Sequence, residues 1–461
     1  MASFIMRLPF LARIARRIIR NKAIEFFEET KNWTRSMWIE YVSDKFEASK
    51  TKWTLKRFPE IKDKNINDLL NMSFNEWVEP PSGFPSAITI YSTGLTMRKK
   101  VPLTKEDVLQ QLIWLGWLIL WTTKGEGFIK NFLAIYAENQ FSEIACEGFG
   151  RFFTDKAVKV STKNLNASLR DIVKKSSYDM TFTITPFLTI LLSSLKENIF
   201  LDGSYIATAG TMRTPDVLEA IREYCEEFNI KLVPSDIYGC TEIGLMGSEF
   251  PVLGVTDCLV YIPTHVGLIK TDEGQIISIF DAKDGTRGEY IVSKLGDYMI
   301  PNYRIGDYIE VVHSNTPLGL PAIRVLGRLP ISKIEVTLPV IGKLKGNGMW
   351  FLRLPTCSLS GLIYVGLLNE GIKSLFVVED RGREAYCTIY ATKSFSVDKF
   401  KELVMKYDPD FSAPYLLELI NHGVLKVEIK EEPNIVNTYY KMGIERYPQS
   451  GFPPIILVTK E

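Results

Sequence analysis

The chain has 461 residues, of which 46% are hydrophobic, 24% charged and 12% aromatic. This length excludes a small disulfide-stapled protein, and the aromatic content excludes a chain that stays disordered, so we expect two or three folded domains. The 55 basic and 54 acidic residues give a net charge of +1. Such a balance provides no overall field for a polyanion and argues against nucleic-acid binding.

Cysteine and histidine are too sparse for several classes of site. The six cysteines form no C-x-x-C pair, which argues against a zinc ribbon or a thioredoxin-like centre. The three histidines, His265, His313 and His422, show neither HExxH nor HxH spacing, and we interpret each as structural. This cysteine usage fits a reducing, cytoplasmic location.

The N-terminal residues predict a basic amphipathic helix. No acidic residue precedes Glu25, six arginines and lysines lie before it, and Leu8, Leu11, Ala15 and Ile18 recur at helical spacing. Two interpretations stay open: a helix that caps the first domain with a solvated basic face, and weak contact with an anionic membrane surface. The segment lacks the apolar centre and cleavage site of a secretory signal.

The remaining elements follow in chain order. Residues 1–79 are predicted to be largely helical, and the apolar run 112–121 is half of the roughly 20 residues that cross a bilayer, so it predicts a buried helix. Strand-like runs at 180–184, 205–208 and 231–234 alternate with a helix at 215–228, which predicts an α/β layer with a parallel or mixed sheet. Short strands dominate 254–326. Strands at 374–378 and 386–391 with a helix at 397–407 predict a small C-terminal α+β domain.

Three polar segments follow strand-like runs. Residues 91–100 (YSTGLTMRKK) offer hydroxyls, a glycine and lysines that can surround phosphates. Residues 236–242 (DIYGCTE), after the run Thr208-Ala209-Gly210-Thr211, offer an aromatic face, a glycine for close approach and a carboxylate for Mg²⁺. Residues 300–307 (IPNYRIGD) end in a carboxylate suited to ribose hydroxyls. Read separately, each segment predicts an ordinary turn.

Taken in order, these segments resemble the adenylate-forming superfamily of acyl-CoA synthetases, firefly luciferase and adenylation domains. The superfamily's Y-G-x-T-E and Y-R-x-G-D patterns are complete at 238–242 and 303–307, and its G-E-x-x-V-S strand is complete at 288–293. Its phosphate loop is only partly matched, because Leu95, Met97 and Lys99 depart from the pattern. The D-I-Y-G run and helical N-terminus are most similar to the phenylacetate-CoA ligase branch, and residues 98–102 are also similar to acyl-acid amido synthetases.

The resemblance implies that the chain activates a small-molecule carboxylic acid with ATP and Mg²⁺, releases pyrophosphate and transfers the acyl group to CoA. It also implies a large adenylation domain over 1–327 and a small mobile domain over 328–461. The residues that it places at the nucleotide are Thr93, Gly94, Thr96, Ala209, Gly210, Thr211, Tyr238, Gly239, Asp307 and Arg328. Those that it places in catalysis are Lys100, Thr241, Glu242 and Lys441.

Individual roles follow from the same resemblance. Tyr238 is expected to stack on adenine, Thr241 to meet the α-phosphate, Glu242 to bind Mg²⁺ and Asp307 to hold the ribose. Two features depart from the superfamily: Pro330 replaces the hinge acid that normally follows the Arg328 position, and the late catalytic lysine has Lys441 only as its nearest counterpart by location. Two alternatives therefore remain, an amide-forming synthetase and a nucleotide-binding homologue without catalysis.

Overall fold

The computed structural model describes residues 9–49, 58, 66–75, 78, 80, 82–91, 100–136, 141–161, 172, 177–184, 188, 191–192, 195–210, 215–296, 298–328, 334–338, 342–346, 367, 370–380, 385–407, 417, 420–421, 425–437 and 455–458. The helices in these ranges are α1 (Pro9–Thr30), α2 (Arg35–Ala48), α3 (Asn67–Leu70), α4 (Lys105–Thr122), α5 (Phe141–Phe152), α6 (Pro215–Phe228) and α7 (Val397–Tyr407).

The strands of the N-terminal part are β1 (Ile88–Tyr91), β2 (Lys100–Leu103), β3 (Ile129–Tyr136), β4 (Thr154–Ser161), β5 (Tyr178–Ile184), β6 (Phe200–Ala209) and β7 (Leu232–Cys240). They are followed by β8 (Gly244–Phe250), β9 (Val255–Tyr261), β10 (His265–Thr271), β11 (Ile276–Ser278), β12 (Arg287–Lys294), β13 (Ile300–His313) and β14 (Ala322–Arg328). The C-terminal part contains β15 (Ile334–Leu338), β16 (Gly342–Gly346), β17 (Ser374–Asp380), β18 (Ala385–Ala391), β19 (Leu425–Glu431) and β20 (Ile455–Val458).

One large mixed sheet organises the N-terminal part. Its twelve strands lie in the order β11-β10-β12-β13-β14-β9-β8-β7-β6-β5-β3-β4. The five strands from β4 to β7 at one side pair in parallel, whereas β7 and every strand beyond it pair antiparallel. β7 is therefore the strand at which the pairing changes, and the predicted α/β layer with its mixed sheet is confirmed.

Helix α4 contains the apolar run and packs inside the protein. It begins with a capping box, in which Thr104 Oγ1 accepts a hydrogen bond from Asp107 N and Asp107 Oδ2 accepts one from Thr104 N. Trp117 is fully buried, and its indole N–H donates to Thr30 Oγ1 of α1 at 2.8 Å. The prediction of a buried helix is confirmed. Within the described ranges, no helix has the length and apolar character that crossing a bilayer requires.

Helix α1 turns part of its basic face toward the protein. Arg16 Nη2 lies 3.1 Å from Asp155 Oδ1, and Arg20 Nε donates to the carbonyl of Phe152 at 2.6 Å. Ile19 and Ala23 are buried on the same helix. These contacts agree with the interpretation of α1 as a capping helix, whereas contact with a membrane surface stays a prediction.

The C-terminal part forms a four-stranded sheet in the order β19-β18-β17-β20. β18 and β19 are parallel and α7 lies between them in the chain, so the three elements form a βαβ unit. Side chains of this part, including Leu367, Ile389 and Phe400, belong to one buried cluster with Leu188 and Val217. The division of the chain at residues 327 and 328 stays a prediction, and it falls at the end of β14.

Candidate functional site

The second predicted segment lies at the carboxyl ends of two adjacent parallel strands. Ala209 at the end of β6 is in register with Ile237 of β7, and Thr208 Oγ1 donates to Asp236 Oδ1 at 2.8 Å. Gly210 follows β6 with a φ of +89°, a conformation that favours glycine. Carboxyl ends of parallel strands form the crevice that ligands use in α/β sheets. The position of this segment therefore suits a binding site.

The turn that leaves β7 depends on one close backbone approach. A Cβ atom on Gly239 would collide with the carbonyl oxygen of Gly244, so only glycine fits there. Gln111 of α4 supports the same turn, because its amide nitrogen donates to Ile243 O at 3.3 Å and its amide oxygen accepts from Leu245 N at 3.2 Å. Thr241 and Glu242 are thereby held beside the N-terminal half of α4.

The segments 236–242 and 300–307, which the sequence predicts as turns, lie mostly in strands. Residues 236–240 complete β7, and residues 300–307 begin the fourteen-residue strand β13. Irregular strand pairing accommodates Gly239, since the register of β7 against β8 shifts between Tyr238 and Gly239. The prediction of a turn is wrong for 236–240 and 300–307, which lie inside the large sheet, and it holds for Thr241 and Glu242, which lie in the turn between β7 and β8.

Two hydrogen bonds join the Y-G-x-T-E and Y-R-x-G-D segments reciprocally. The Tyr238 hydroxyl donates to Asp307 Oδ2 at 2.5 Å, and the Tyr303 hydroxyl donates to Glu242 Oε1 at 3.0 Å. Asp307 and Glu242 are only 4% and 8% exposed. Each segment thus contributes a tyrosine that orients the carboxylate of the other. The structure brings the two carboxylates of the predicted site into one arrangement.

The Tyr238 hydroxyl remains a donor in this arrangement. Its burial, followed by the negative charge of Asp307, raises the pKa of Tyr238 well above its ordinary value. A neutral phenol beside an ionised carboxylate forms a charge-assisted hydrogen bond, which is stronger than a neutral pair. Tyr238 as a residue is half-buried.

Arg304 of the Y-R-x-G-D segment has a structural partner. Its Nε and Nη2 atoms donate to the two carboxylate oxygens of Glu289 at 2.6 and 2.8 Å, which is bidentate geometry. Glu289 belongs to the G-E-x-x-V-S strand β12, next to β13. The pair fixes the third segment against its neighbouring strand, a role that the sequence did not assign.

The other predicted residues are placed to different degrees. The backbone of Arg328, the predicted hinge arginine, is the cross-strand neighbour of Asp307 in the β13–β14 pair. Lys100 begins β2 opposite Tyr91 of β1, and its side chain is exposed. The residues that lie outside the described ranges, and whose roles stay predictions, are Thr93, Gly94, Thr96, Thr211 and Lys441.

Two residues near the site belong to none of the sequence motifs. Lys294 ends β12 and is 3% exposed, and it interacts electrostatically with Asp107, Cys240 and Glu242. Asp107 is itself buried at the start of α4. A single lysine at the end of a strand gives no sequence signal, because its burial depends on the tertiary structure around it.

The carboxylate of Glu242 fits a Mg²⁺ ligand in chemical type. Mg²⁺ prefers oxygen ligands and is commonly held by one or two carboxylates together with substrate phosphates. The described residues contain no group of three or more His, Cys, Asp or Glu side chains suited to a metal ion. A site with one carboxylate, in which the phosphates of a bound nucleotide supply further Mg²⁺ ligands, is consistent with that chemistry.

Neither a family model nor a curated protein matches the chain. Among solved structures, it is similar to an acyl acid amido synthetase, AtGH3.15 in complex with 2,4-DB, at 13% identity, 96% of this chain, 94% of that chain and a TM-score of 0.46. It is also similar to a 2-hydroxyisobutyryl-CoA ligase with 2-HIB-AMP and CoA, at 12% identity, 97% of this chain, 90% of that chain and a TM-score of 0.49. An O-succinylbenzoate coenzyme A synthetase from Bacillus subtilis in complex with AMP is similar at 14% identity, 75% of this chain, 66% of that chain and a TM-score of 0.39. These proteins are adenylate-forming enzymes.

Proposed function

We propose that the chain activates a carboxylic acid with ATP as an acyl adenylate and then transfers the acyl group to CoA. The observation that carries this proposal is the reciprocal pair of bonds, Tyr238 to Asp307 and Tyr303 to Glu242, between two segments that match adenylate-forming patterns. Ordinary turn carboxylates have no reason to be buried and oriented by tyrosines from each other's segment. A shared nucleotide site gives both carboxylates a task.

The proposed chemistry consists of two displacements. A carboxylate oxygen of the acid attacks the α-phosphorus of ATP, the bond from the α-phosphorus to the bridging oxygen breaks, and pyrophosphate leaves with the bonding electrons. The sulfur of CoA then attacks the acyl carbonyl carbon, and AMP leaves. Because the first two reactants are anions, catalysis depends on positive charge and in-line positioning more than on a general base. The scarcity of histidines is compatible with this demand.

The chain's own residues divide the work by position. We assign adenine stacking to Tyr238, ribose binding to Asp307 and contact with the α-phosphate to Thr241. Glu242 would hold Mg²⁺, which supplies charge neutralisation at the phosphates when it is bound. The assignment of the phosphate-loop residues 93–100 and of Lys441 rests on the sequence resemblance alone.

We further propose a cytoplasmic location and small-molecule partners: the acid, ATP and CoA. The cysteines that the structure describes, Cys146, Cys225, Cys240, Cys258 and Cys387, are free thiols. Free thiols at several depths of the protein suit a reducing compartment. The choice of the phenylacetate-CoA ligase branch is supported by the D-I-Y-G run and by the helices at the N-terminus.

The test is carboxylate-dependent exchange of labelled pyrophosphate into ATP by the full chain. A panel of aryl, fatty and hydroxy acids is offered, and at least one acid is expected to raise exchange above the acid-free rate. CoA and a set of amino acids are then offered separately as acyl acceptors, and formation of a thioester is expected. Exchange that stays at the acid-free rate across the panel would contradict the proposal.

A second candidate is a homologue that binds nucleotide without catalysis. The departures at Leu95 and Met97 in the phosphate loop, and Pro330 at the hinge, favour it. This candidate predicts binding of ATP or AMP with no exchange for any acid. An amide product in place of a thioester would instead identify the amide-forming alternative.

A further inference from the structure

Lys294 is a buried cation whose ammonium group lacks a hydrogen-bond acceptor. Only 3% of the residue is exposed, and no acceptor in the described part of the chain lies within hydrogen-bonding distance of its Nζ. An ammonium has three N–H donors, and removing it from water without a partner is strongly unfavourable. A folded protein that keeps such a group has a use for it or balances its charge in another way.

The carboxylates of Asp107 and Glu242 interact electrostatically with the ammonium but form hydrogen bonds with other groups. Asp107 accepts from the backbone N–H of Thr104 at 2.9 Å, and Glu242 accepts from the Tyr303 hydroxyl at 3.0 Å. Both carboxylates interact with Lys294 electrostatically without forming an ion pair with it. The Tyr298 ring centroid lies 5.5 Å from Nζ, which adds a weaker attraction for the cation.

The position of Lys294 is fixed from two sides. It pairs with Ile300 at the start of β13 and with His265 of β10, so its backbone cannot move without disturbing the sheet. Two residues later, a side chain on Gly296 would collide with the Asp107 carboxylate, so the chain after β12 approaches α4 closely. The backbone of Lys294 is therefore fixed, and its ammonium interacts electrostatically with Asp107, Cys240 and Glu242.

We propose that Lys294 is an anion-binding residue of the candidate site, and that its ammonium receives an oxygen of the reacting anions. The anion is either the nucleotide phosphate or the carboxylate of the acid, which share this chemistry. The inference rests on the proposed function. The carboxylates of Asp107 and Glu242 repel anionic reactants, and a cation that interacts with both of them offsets that repulsion.

The phosphate arm of the test compares two ligands that differ by one phosphate. Equilibrium binding of adenosine and of AMP is measured by calorimetry for the wild type, Lys294→Met and the control Lys283→Met, which removes an exposed lysine in the turn before β12. If the ammonium binds phosphate, Lys294→Met weakens AMP about tenfold or more, as expected for a lost hydrogen bond to a charged group, and leaves adenosine unchanged. The control binds both ligands as the wild type does.

The carboxylate arm uses the dependence of pyrophosphate exchange on acid concentration. If the ammonium binds the acid, AMP and adenosine affinities are unchanged in Lys294→Met, but the acid concentration for half-maximal exchange rises about tenfold or more. Lys294→Gln, which is neutral yet polar beside the two carboxylates, gives the same result if the methionine variant fails to fold. Either shift supports the inference.

The two proposals fail in different ways. The inference alone is overturned if folded Lys294→Met protein binds AMP and adenosine as the wild type does and needs the same acid concentration for half-maximal exchange. A lysine that only balances charge would change neither the AMP affinity nor that acid concentration. Wild-type protein that binds neither adenosine nor AMP and shows no exchange overturns the proposed function, and the inference with it.

Discussion

Asp307 accepts a hydrogen bond from the Tyr238 hydroxyl. In the proposed function it also accepts hydrogen bonds from the ribose hydroxyls. Asp307→Asn keeps an oxygen for Tyr238 but removes the charge and one acceptor, so the substitution preserves the local structure. We expect the KM for ATP to rise about 10- to 150-fold, the equivalent of about 1.5–3 kcal/mol for hydrogen bonds to a charged group, with a smaller change in kcat. Steady-state kinetics of pyrophosphate exchange provide the measurement.

The control for this substitution is Tyr238→Phe, which keeps the aromatic face and removes the hydroxyl. If Asp307 binds ribose directly, the control raises the KM for ATP less than Asp307→Asn does. Equal effects of the two variants would show that Asp307 acts only by holding Tyr238.

Glu242 and Tyr303 form the complementary pair. Glu242→Gln leaves an acceptor for the Tyr303 hydroxyl and removes the negative charge that would hold Mg²⁺. We expect a lower kcat and a higher Mg²⁺ concentration for half-maximal exchange, because the metal balances charge that shifts in the transition state. Tyr303→Phe, which keeps the charge, should change the Mg²⁺ requirement less. An unaltered Mg²⁺ dependence in Glu242→Gln argues that the metal binds elsewhere.

His265 illustrates a buried group that contributes to stability and not to the proposed chemistry. It is fully buried, its Nε2 lies 2.6 Å from the Tyr290 hydroxyl, and burial lowers its pKa from 6.5 to about 3. Below the ordinary pKa, the unfolded chain takes up a proton that the folded protein refuses, so stability falls as the pH drops. Between pH 7 and pH 5 this single group should cost about 2 kcal/mol.

The variant His265→Gln removes that titration and keeps a polar atom toward Tyr290. Urea unfolding at the two pH values is expected to show a loss of stability about 2 kcal/mol smaller in the variant than in the wild type. His313→Gln, which changes an exposed histidine, serves as the control and keeps the wild-type loss. An identical loss in His265→Gln and the wild type would contradict the assignment.

At the scale of elements, a cation on the basic face of α1 contacts the last residue of α5 and the residue before β3. The guanidinium of Arg20 donates to Phe152 O at 2.6 Å and lies 4.6 Å from the ring centroid of Phe128. Arg20→Met should lower the free energy of unfolding by about 1–3 kcal/mol, from the lost charged hydrogen bond and cation–π contact. Arg17→Met, on the exposed face of the same helix, should stay within about 0.5 kcal/mol of the wild type.

Urea unfolding measures this difference, and pyrophosphate exchange by folded Arg20→Met should match the wild type because α1 contributes no residue to the candidate site. Equal stability of the two variants would indicate that the basic face faces solvent throughout. A surface-attachment role for α1 predicts instead that Arg17→Met weakens binding to anionic vesicles.

Elements with a long regular pattern could be predicted from the sequence. The predicted helices at 215–228 and 397–407 coincide with α6 and α7, since their amphipathic spacing extends over several turns. Strand ends were less predictable: β6 begins at Phe200 and β7 continues to Cys240. Both extensions contain glycine and polar residues, which favour turns locally and are overridden by pairing within the large sheet.

The candidate site was predictable only residue by residue. The sequence motifs include Tyr238, Glu242, Tyr303 and Asp307. The two hydrogen bonds that connect these four residues join partners 69 and 61 positions apart in the chain. The arrangement of strands in the large sheet brings these residues together in space, and local periodicity in the sequence does not encode that arrangement. Lys294 had no signal at all, because one lysine after a strand is usually solvated.

At the scale of the whole molecule, one buried cluster contains residues of both predicted domains. Val217 of α6 and Phe400 of α7 are members of it, so the C-terminal part covers apolar surface next to the parallel strands. A domain that rotates between reaction steps must exchange this burial for other contacts. The two half-reactions are therefore expected to respond differently to changes in the C-terminal part.

Lys441 is the residue on which this expectation is sharpest. A flexible ammonium carried by the C-terminal part can neutralise the α-phosphate during adenylation and leave before thioester formation. We expect Lys441→Ala to lower acid-dependent pyrophosphate exchange, while a synthetic acyl adenylate supplied to the same variant still yields acyl-CoA at the wild-type rate. Lys343→Ala and Lys345→Ala, which change lysines of the hairpin strand β16, are the comparison. Exchange that survives in Lys441→Ala but falls in one of these two would transfer the role to the hairpin, and thioester formation that falls together with exchange would mean that the lysine supports the fold and not a single step.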